Sequence, residues 1–211
     1  MSTDWNEWHA EYDDPDSSLS RRRRSVQVQV DDWLDRRPGE QLRIVSACSG
    51  DGRDVLEVLA RRLDADRVEV LLIETDPILA RAAKEFARHH DLGRVVVRRD
   101  DAGTTDAYVD GVPADLVMMC GVFGNLTDED LRLTIGTLPQ FCAVGATVLW
   151  TRGRFSTGDL TPTIRGWFTD CGFEEVSFDA PEDATYRVGA NRLTEQPRPL
   201  VRGTTFFTFT R

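Results

Sequence analysis

The chain has 211 residues, 40% hydrophobic and 29% charged, which suits a single globular domain with a sizeable core. A formal charge of -10 gives a surface that repels phosphate backbones and argues against a nucleic-acid partner. Four dispersed cysteines with no CxxC pair argue against a zinc site or a secreted disulfide scaffold and fit reduced thiols in the cytoplasm.

The first stretch, "MSTDWNEWHAEYDDPDSS", is polar and acidic and does not read as a signal peptide. It reads as an arm or lid. Ser20 to Arg36 reads as a helix, because Val26, Val30, Trp33 and Leu34 share one face, although the alternation in "SVQVQV" also fits a strand. The run Arg21 to Arg24 within it reads as a solvated face. "RRPGEQ" breaks the chain, dividing residues 1–39, arm and helix, from a main domain over 40–211.

"LRIVSA" predicts a buried strand, followed by a helix from Asp51 to Leu63 with Val55, Leu56, Leu59 and Leu63 inward. "VEVLLIE" is a second strand. Asp76 as cap and Pro77 at the first position open a helix that buries Leu79, Ala82, Ala83 and Phe86. "RVVVRR" and "ADLVMMC" are the third and fourth strands. Thr127 caps a helix with acids at Asp128, Glu129 and Asp130 beside its positive end, and "ATVLWT" is the fifth strand. Thr161 and Pro162 open a helix ended by Gly172, with Ile164, Trp167, Phe168 and Cys171 inward. "FEEVSFDA" and "TTFFTFT" read as the last strands, separated by an insert over residues 181–202 that would cover a pocket or mediate a homodimer. No run approaches the length of about 18 apolar residues that spans a membrane.

Alternation of strands and helices predicts an α/β fold with a mostly parallel sheet, helices on both faces, and a reversed last strand at residues 204–210. In such sheets ligands sit beyond the carboxyl ends of the strands. Three strand ends carry marks there. The first ends in "SACSGDG", whose small residues let a ligand approach the backbone. Glu74 ends the second, roughly 20 residues past Gly52, where an acid meets a ribose diol. Asp101 and Ala102 follow the third and match an adenine edge. A dinucleotide fingerprint would need a small residue at position 55, which is Val55, and this disfavours an NAD enzyme.

With "IVSACSGDGRDVL", "LLIETDP", "RRDDA" and "DLVMMCGVFGNL", residues 40–210 resemble the class I S-adenosylmethionine-dependent methyltransferases. The resemblance implies a seven-stranded sheet and S-adenosyl-L-methionine as methyl donor. It implies that Ser46, Ala47, Cys48, Ser49 and Gly50 cradle the methionine part and that Glu74 holds the ribose, with Thr75 near the adenine. Asp101 and Ala102 would read the adenine, and Cys120 and Gly121 would floor the sulfonium. The family usually has an acid where this chain has Ser46 and a glycine where it has Cys48. Both departures, and the lack of a distinctive acceptor motif, keep open a methyltransferase-like binding or scaffold domain without turnover.

Methyl transfer from a sulfonium asks mainly for alignment and dryness, and a general base only when the acceptor must lose a proton. His9 or Tyr12 in the arm would serve if the arm closes over the crevice; the alternative is an arm packed on the surface or against another subunit. His89 and His90 end a helix, where positive charge is favourable. Phe123 and Asn125 after the fourth strand, and Arg152 after the fifth, are candidates for the pocket of a small-molecule acceptor.

Overall fold

A computed structural model describes Asp14 and residues 17–153 and 158–210. The first helix, α1 (Ser18–Asp35), is capped by Ser17, whose hydroxyl accepts the Ser20 amide at 3.0 Å. It buries Val26, Val30, Trp33 and Leu34 as the spacing predicts. The alternating strands and helices then follow in order: β1 (Leu42–Ala47), α2 (Arg53–Leu59), β2 (Val68–Ile73), α3 (Pro77–His89), β3 (Val95–Arg98), β4 (Ala114–Met119), α4 (Asp128–Thr137), β5 (Cys142–Gly153), α5 (Thr161–Asp170), β6 (Phe173–Asp179) and β7 (Tyr186–Leu193).

The seven-stranded sheet has the order β3-β2-β1-β4-β5-β7-β6. β1 lies parallel to both β2 and β4, so the winding reverses between β1 and β4 and their carboxyl ends flank a crevice. β7 runs antiparallel to β5 and β6.

Side chains alternate between two cores, one on each face of the sheet. Leu42 and Ile44 of β1 join α1, α2 and α3, while Val45 and Ala47 join α4, α5 and an aromatic cluster around Tyr108, Phe141 and Trp150. Gln27 of α1 donates to the Arg53 carbonyl at 2.9 Å and to Glu57 at 2.7 Å, fixing α1 on α2. The arginine run is not a uniformly solvated face: Arg21 pairs with Asp183 at 2.9 Å, and Arg22 reaches the crevice described below.

Two expectations are corrected. Residues 204–210 are not the reversed strand; that strand is β7, "YRVGANRL", taken from the sequence as an insert. All of its residues but Arg192 are buried, so its polar members show no alternation. Arg187 and Asn191 are buried and paired, Asn191 accepting the Trp150 indole N–H at 2.8 Å, and Gly189 lies flat against that indole. α2 stops at Leu59, and Leu63, expected inward, is exposed.

Residues 204–210 instead return as an irregular segment across the strand tips. Thr204 accepts the Thr105 amide, Phe206 donates to the Gly103 carbonyl, and Thr210 donates to the Asn125 carbonyl, each at 2.9 Å. Consecutive burial of Phe206 and Phe207 excludes a one-faced strand. Among the described residues no helix is long and apolar enough to cross a membrane.

Candidate functional site

The turn after β1 is a run of left-handed residues, Cys48, Gly50 and Gly52, at φ 48°, 58° and 75°. A Cβ at Gly52 would lie 2.7 Å from the Leu72 side chain, so the helix start can approach β2 only without one. Cys48 takes the same backbone region with a side chain, at a cost on the order of 1 kcal/mol. Its neighbour Ser49 is held in return by a 3.0 Å hydrogen bond to the Ile73 carbonyl. Ser49 Oγ is buried without a hydrogen-bond partner among the described residues.

Glu74, 8% exposed at the tip of β2, ties two loops together. One carboxylate oxygen accepts the Gly50 amide at 2.7 Å and the other accepts the Asp76 amide at 2.8 Å. A carboxylate has about four acceptor positions, so each oxygen retains one for a ligand hydroxyl. Asp76 caps α3 by accepting the Ile78 and Leu79 amides at 2.7 and 3.1 Å.

Two cavities adjoin at this point. The first, about 270 Å³, is lined by Cys48 to Asp51, Glu74, Thr75, Cys120 and Gly121, and also by Arg22, Arg53, Asp54 and Leu79. The second, about 210 Å³, is lined by Ile73, Asp100, Asp101, Ala102, Phe207 and Thr208. Cys48, Thr75 and Phe209 belong to both walls. Taken together the cavities reach the range of roughly 300–1,000 Å³ that holds small ligands.

Most of the residues expected to hold a cofactor therefore converge. Cys48, Ser49, Gly50, Glu74, Thr75, Cys120 and Gly121 line the first cavity, and Asp101 and Ala102 the second. Ser46 and Ala47 stop short of it, buried inside the sheet. Asp101 Oδ1 accepts the Gly103 amide at 2.8 Å, and the Tyr108 hydroxyl donates to the Ala102 carbonyl at 2.8 Å, which shapes the turn between them.

The loop after β4 is pinned by Gly121 N–H donating to Thr151 Oγ1 and by the Asn125 amide donating to the Gly121 carbonyl, both at 2.8 Å. Phe123, expected as a pocket wall, is fully buried, stacked on Trp150 at 5.7 Å, and belongs to the core. Arg152 is half-buried and donates to the Phe123 carbonyl at 2.5 Å. Neither residue, nor Asn125, lines the two cavities. His9 and Tyr12 lie outside the described residues. His89 and His90 stand on the far end of α3, their rings 5.0 Å apart.

Burial pushes the Cys48 thiol far up, and the carboxylates of Glu74 and Asp101 add to it. Burial does the same to Cys120, with a further push from Asp54. Both thiols facing the first cavity are held protonated.

Sequence reading missed Arg22, Asp54 and the return of Phe207 to Phe209. Arg22 and Asp54 carried a signal only in hindsight, one inside a basic run and one just past the turn. The terminal segment carried none, because its partners, Gly103 and Asn125, are remote in the chain.

No protein-family model matches the sequence, and no curated protein does. The fold matches several solved structures. Magnesium protoporphyrin IX methyltransferase from Synechocystis PCC 6803, with bound SAM, superimposes with a TM-score of 0.69 at 15% identity, over 90% of this chain and 91% of that one. An O-methyltransferase family protein from Burkholderia thailandensis gives 0.64 at 19% identity, over 85% of this chain and 58% of that one. The CurJ carbon methyltransferase gives 0.67 at 13% identity, over 85% and 56%. Identity this low carries the fold and nothing further.

Proposed function

We propose, from a fold that is the class I S-adenosylmethionine-dependent methyltransferase fold, that the chain binds S-adenosyl-L-methionine and methylates a small-molecule acceptor. The observation that carries this reading is the junction of two cavities at Cys48 and Thr75, with the tips of β1, β2 and β3 around them. The residues present fit such a cofactor. Ser49 Oγ is an orphaned buried hydroxyl, Glu74 keeps free lone pairs, and the second cavity combines the Asp100 and Asp101 carboxylates with apolar walls.

The group supplies a methyl already activated by its sulfonium, so the protein's task is alignment and exclusion of water. In this reading the Cys48–Gly50 backbone orients the methionine end and Glu74 accepts the ribose hydroxyls. Asp101 would accept an adenine amino group, with Ile73 and Phe207 to Phe209 supplying apolar walls of the same cavity. Cys120 and Gly121 would line the sulfonium side. Asn125 and Arg152, which hydrogen-bond the loop carrying Gly121 and Phe123, would shape the acceptor side through that loop, and His9 or Tyr12 would complete it from the arm.

A second reading, a binding module without turnover, is favoured by Ser46 in place of an acid and by Phe209 standing between the two cavities. Calorimetry with S-adenosylmethionine and S-adenosylhomocysteine tests the first reading. Binding is expected, Glu74→Ala should abolish it, and Asp101→Ala should weaken it by about 1–2 kcal/mol, the worth of one hydrogen bond to a charged group. Absence of binding to either ligand sinks the proposal. Binding without methyl transfer across a panel of hydroxyl, amine, thiol and carbon acceptors favours the module.

A further inference from the structure

Four carboxylates line the first cavity: Asp51, Asp54, Glu74 and Asp76. Three are already engaged. Asp51 forms a forked pair with the Arg53 guanidinium. Glu74 accepts two backbone amides, and Asp76 caps α3. Asp54, the second residue of α2, has no side-chain hydrogen bond or ion pair among the described residues. Water in the crevice reaches it, yet it is half-buried and protein surrounds it. Arg22, Arg23 and Arg53 lie close enough to favour its charge, but none hydrogen-bonds it, and a carboxylate so placed retains acceptor positions for a donor that arrives in the cavity.

The occupant is defined by charge and position. Asp54 lines the same cavity as Cys48 to Gly50 and is close enough to Arg22 and Cys120 to interact with both. Burial pushes its carboxyl up and Asp51 adds to the push, while Arg22 opposes it. A cation that donates several hydrogen bonds would satisfy it, and a primary ammonium does so. Ser46, at the end of β1, is 5% exposed and does not reach the cavity, so Asp54 is the carboxylate of this corner left without a hydrogen bond.

We propose that Asp54 is the ammonium subsite of the crevice: its carboxylate receives the α-amino group of the cofactor's methionine moiety, a role delivered from the first turn of α2 instead of from the end of β1. The inference rests on the cofactor reading above. It makes Asp54 the residue that distinguishes ligands bearing the amino-acid group from truncated adenosyl thioethers.

The test is calorimetry on the full chain and on Asp54→Asn, which keeps the shape and removes the charge. Two probes are titrated: S-adenosylhomocysteine, which carries the ammonium, and 5′-methylthioadenosine, which has the same nucleoside and sulfur without the amino acid. The expected result is a loss of at least tenfold in affinity for S-adenosylhomocysteine with methylthioadenosine unchanged within twofold. Retained methylthioadenosine binding also certifies that the variant is folded. Unchanged S-adenosylhomocysteine affinity overturns the assignment, and so does an equal loss for both probes, which would mean a general structural role. If the unaltered chain binds neither probe, the cofactor reading fails and takes this inference with it. If it binds both equally well, only the ammonium subsite fails.

Discussion

The two cysteines that face the first cavity are placed where a proposed alkyl donor would sit, and their chemistry follows from burial more than from position. The thiolate is the reactive form, and each tenfold drop in its population slows alkylation in proportion. Cys48 and Cys120 are both pushed up, by burial first and by nearby carboxylates second. They should react with iodoacetamide at pH 7.5 more than tenfold slower than free cysteine, as followed by peptide mass spectrometry; rates like those of a free thiol would contradict the electrostatics described here. Residue types at strand tips were legible because an acid or small residue ending an apolar run is a local signal. Glu74 and Asp101 were singled out that way, and each lines a cavity. Phe123 was also singled out but lines neither, because a loop aromatic looks the same on the page whether its ring turns toward a ligand or stacks on Trp150.

Among the elements, the terminal segment and β7 were exchanged in the sequence reading. "TTFFTFT" has alternating chemistry, and "YRVGANRL" has charge and glycine where an interior strand is usually apolar. The structure buries the second because Arg187 reaches backbone carbonyls, including that of Ala184 at 3.1 Å, and Asn191 meets Trp150. The first is kept irregular by its aromatic contacts: Phe206 packs on Phe141 and Tyr108 at 5.4 and 5.9 Å. Phe206→Ala should therefore destabilise the protein by about 3–5 kcal/mol, read as a lower urea midpoint, as for any large ring removed from a packed core. A change under about 1 kcal/mol would mean that the segment is a loose appendage.

At the scale of the whole molecule, α1 belongs to the same core as the sheet that follows it. Arg67 is buried and donates to the Leu34, Arg37 and Glu40 carbonyls at 3.1, 2.9 and 3.1 Å, and Arg62 bridges Asp35 at 2.7 Å and Asp64 at 2.9 Å. A chain beginning at residue 40 loses Val26, Val30, Trp33 and Leu34 from one core. It should fail to give a cooperative unfolding transition; a sharp transition at the full-length midpoint would make residues 1–39 a dispensable arm.

Asp64 supplies a pH test of this joint. Hydrogen bonds from Arg62 and Arg67 hold its carboxyl at about 2, below the usual 3.8. A depressed carboxyl stabilises the fold above its unfolded pKa, and that contribution fades as pH falls from about 4 to about 2. Since Asp64 is 41% exposed, solvent screens the pair and the effect is modest. The difference in urea midpoint between the unaltered chain and Asp64→Asn should be constant from pH 7 to 5 and shrink toward pH 2. A difference that persists at the acid end would assign it to packing.

Sequence by itself determined the order of strands and helices through β6, the Asp76 and Thr127 caps, and the three strand tips that carry small or acidic residues, because each depends on side chains within one turn or one strand of each other. Tertiary structure alone decided which segment became the reversed strand, that Phe207 to Phe209 line the crevice, and that Asp54 faces it without a hydrogen bond. Those outcomes are fixed by contacts such as Thr105 with Thr204 and Asn125 with Thr210. A contact between residues so far apart in the chain leaves no periodicity in either stretch, and its energy exists only once the sheet has brought them together.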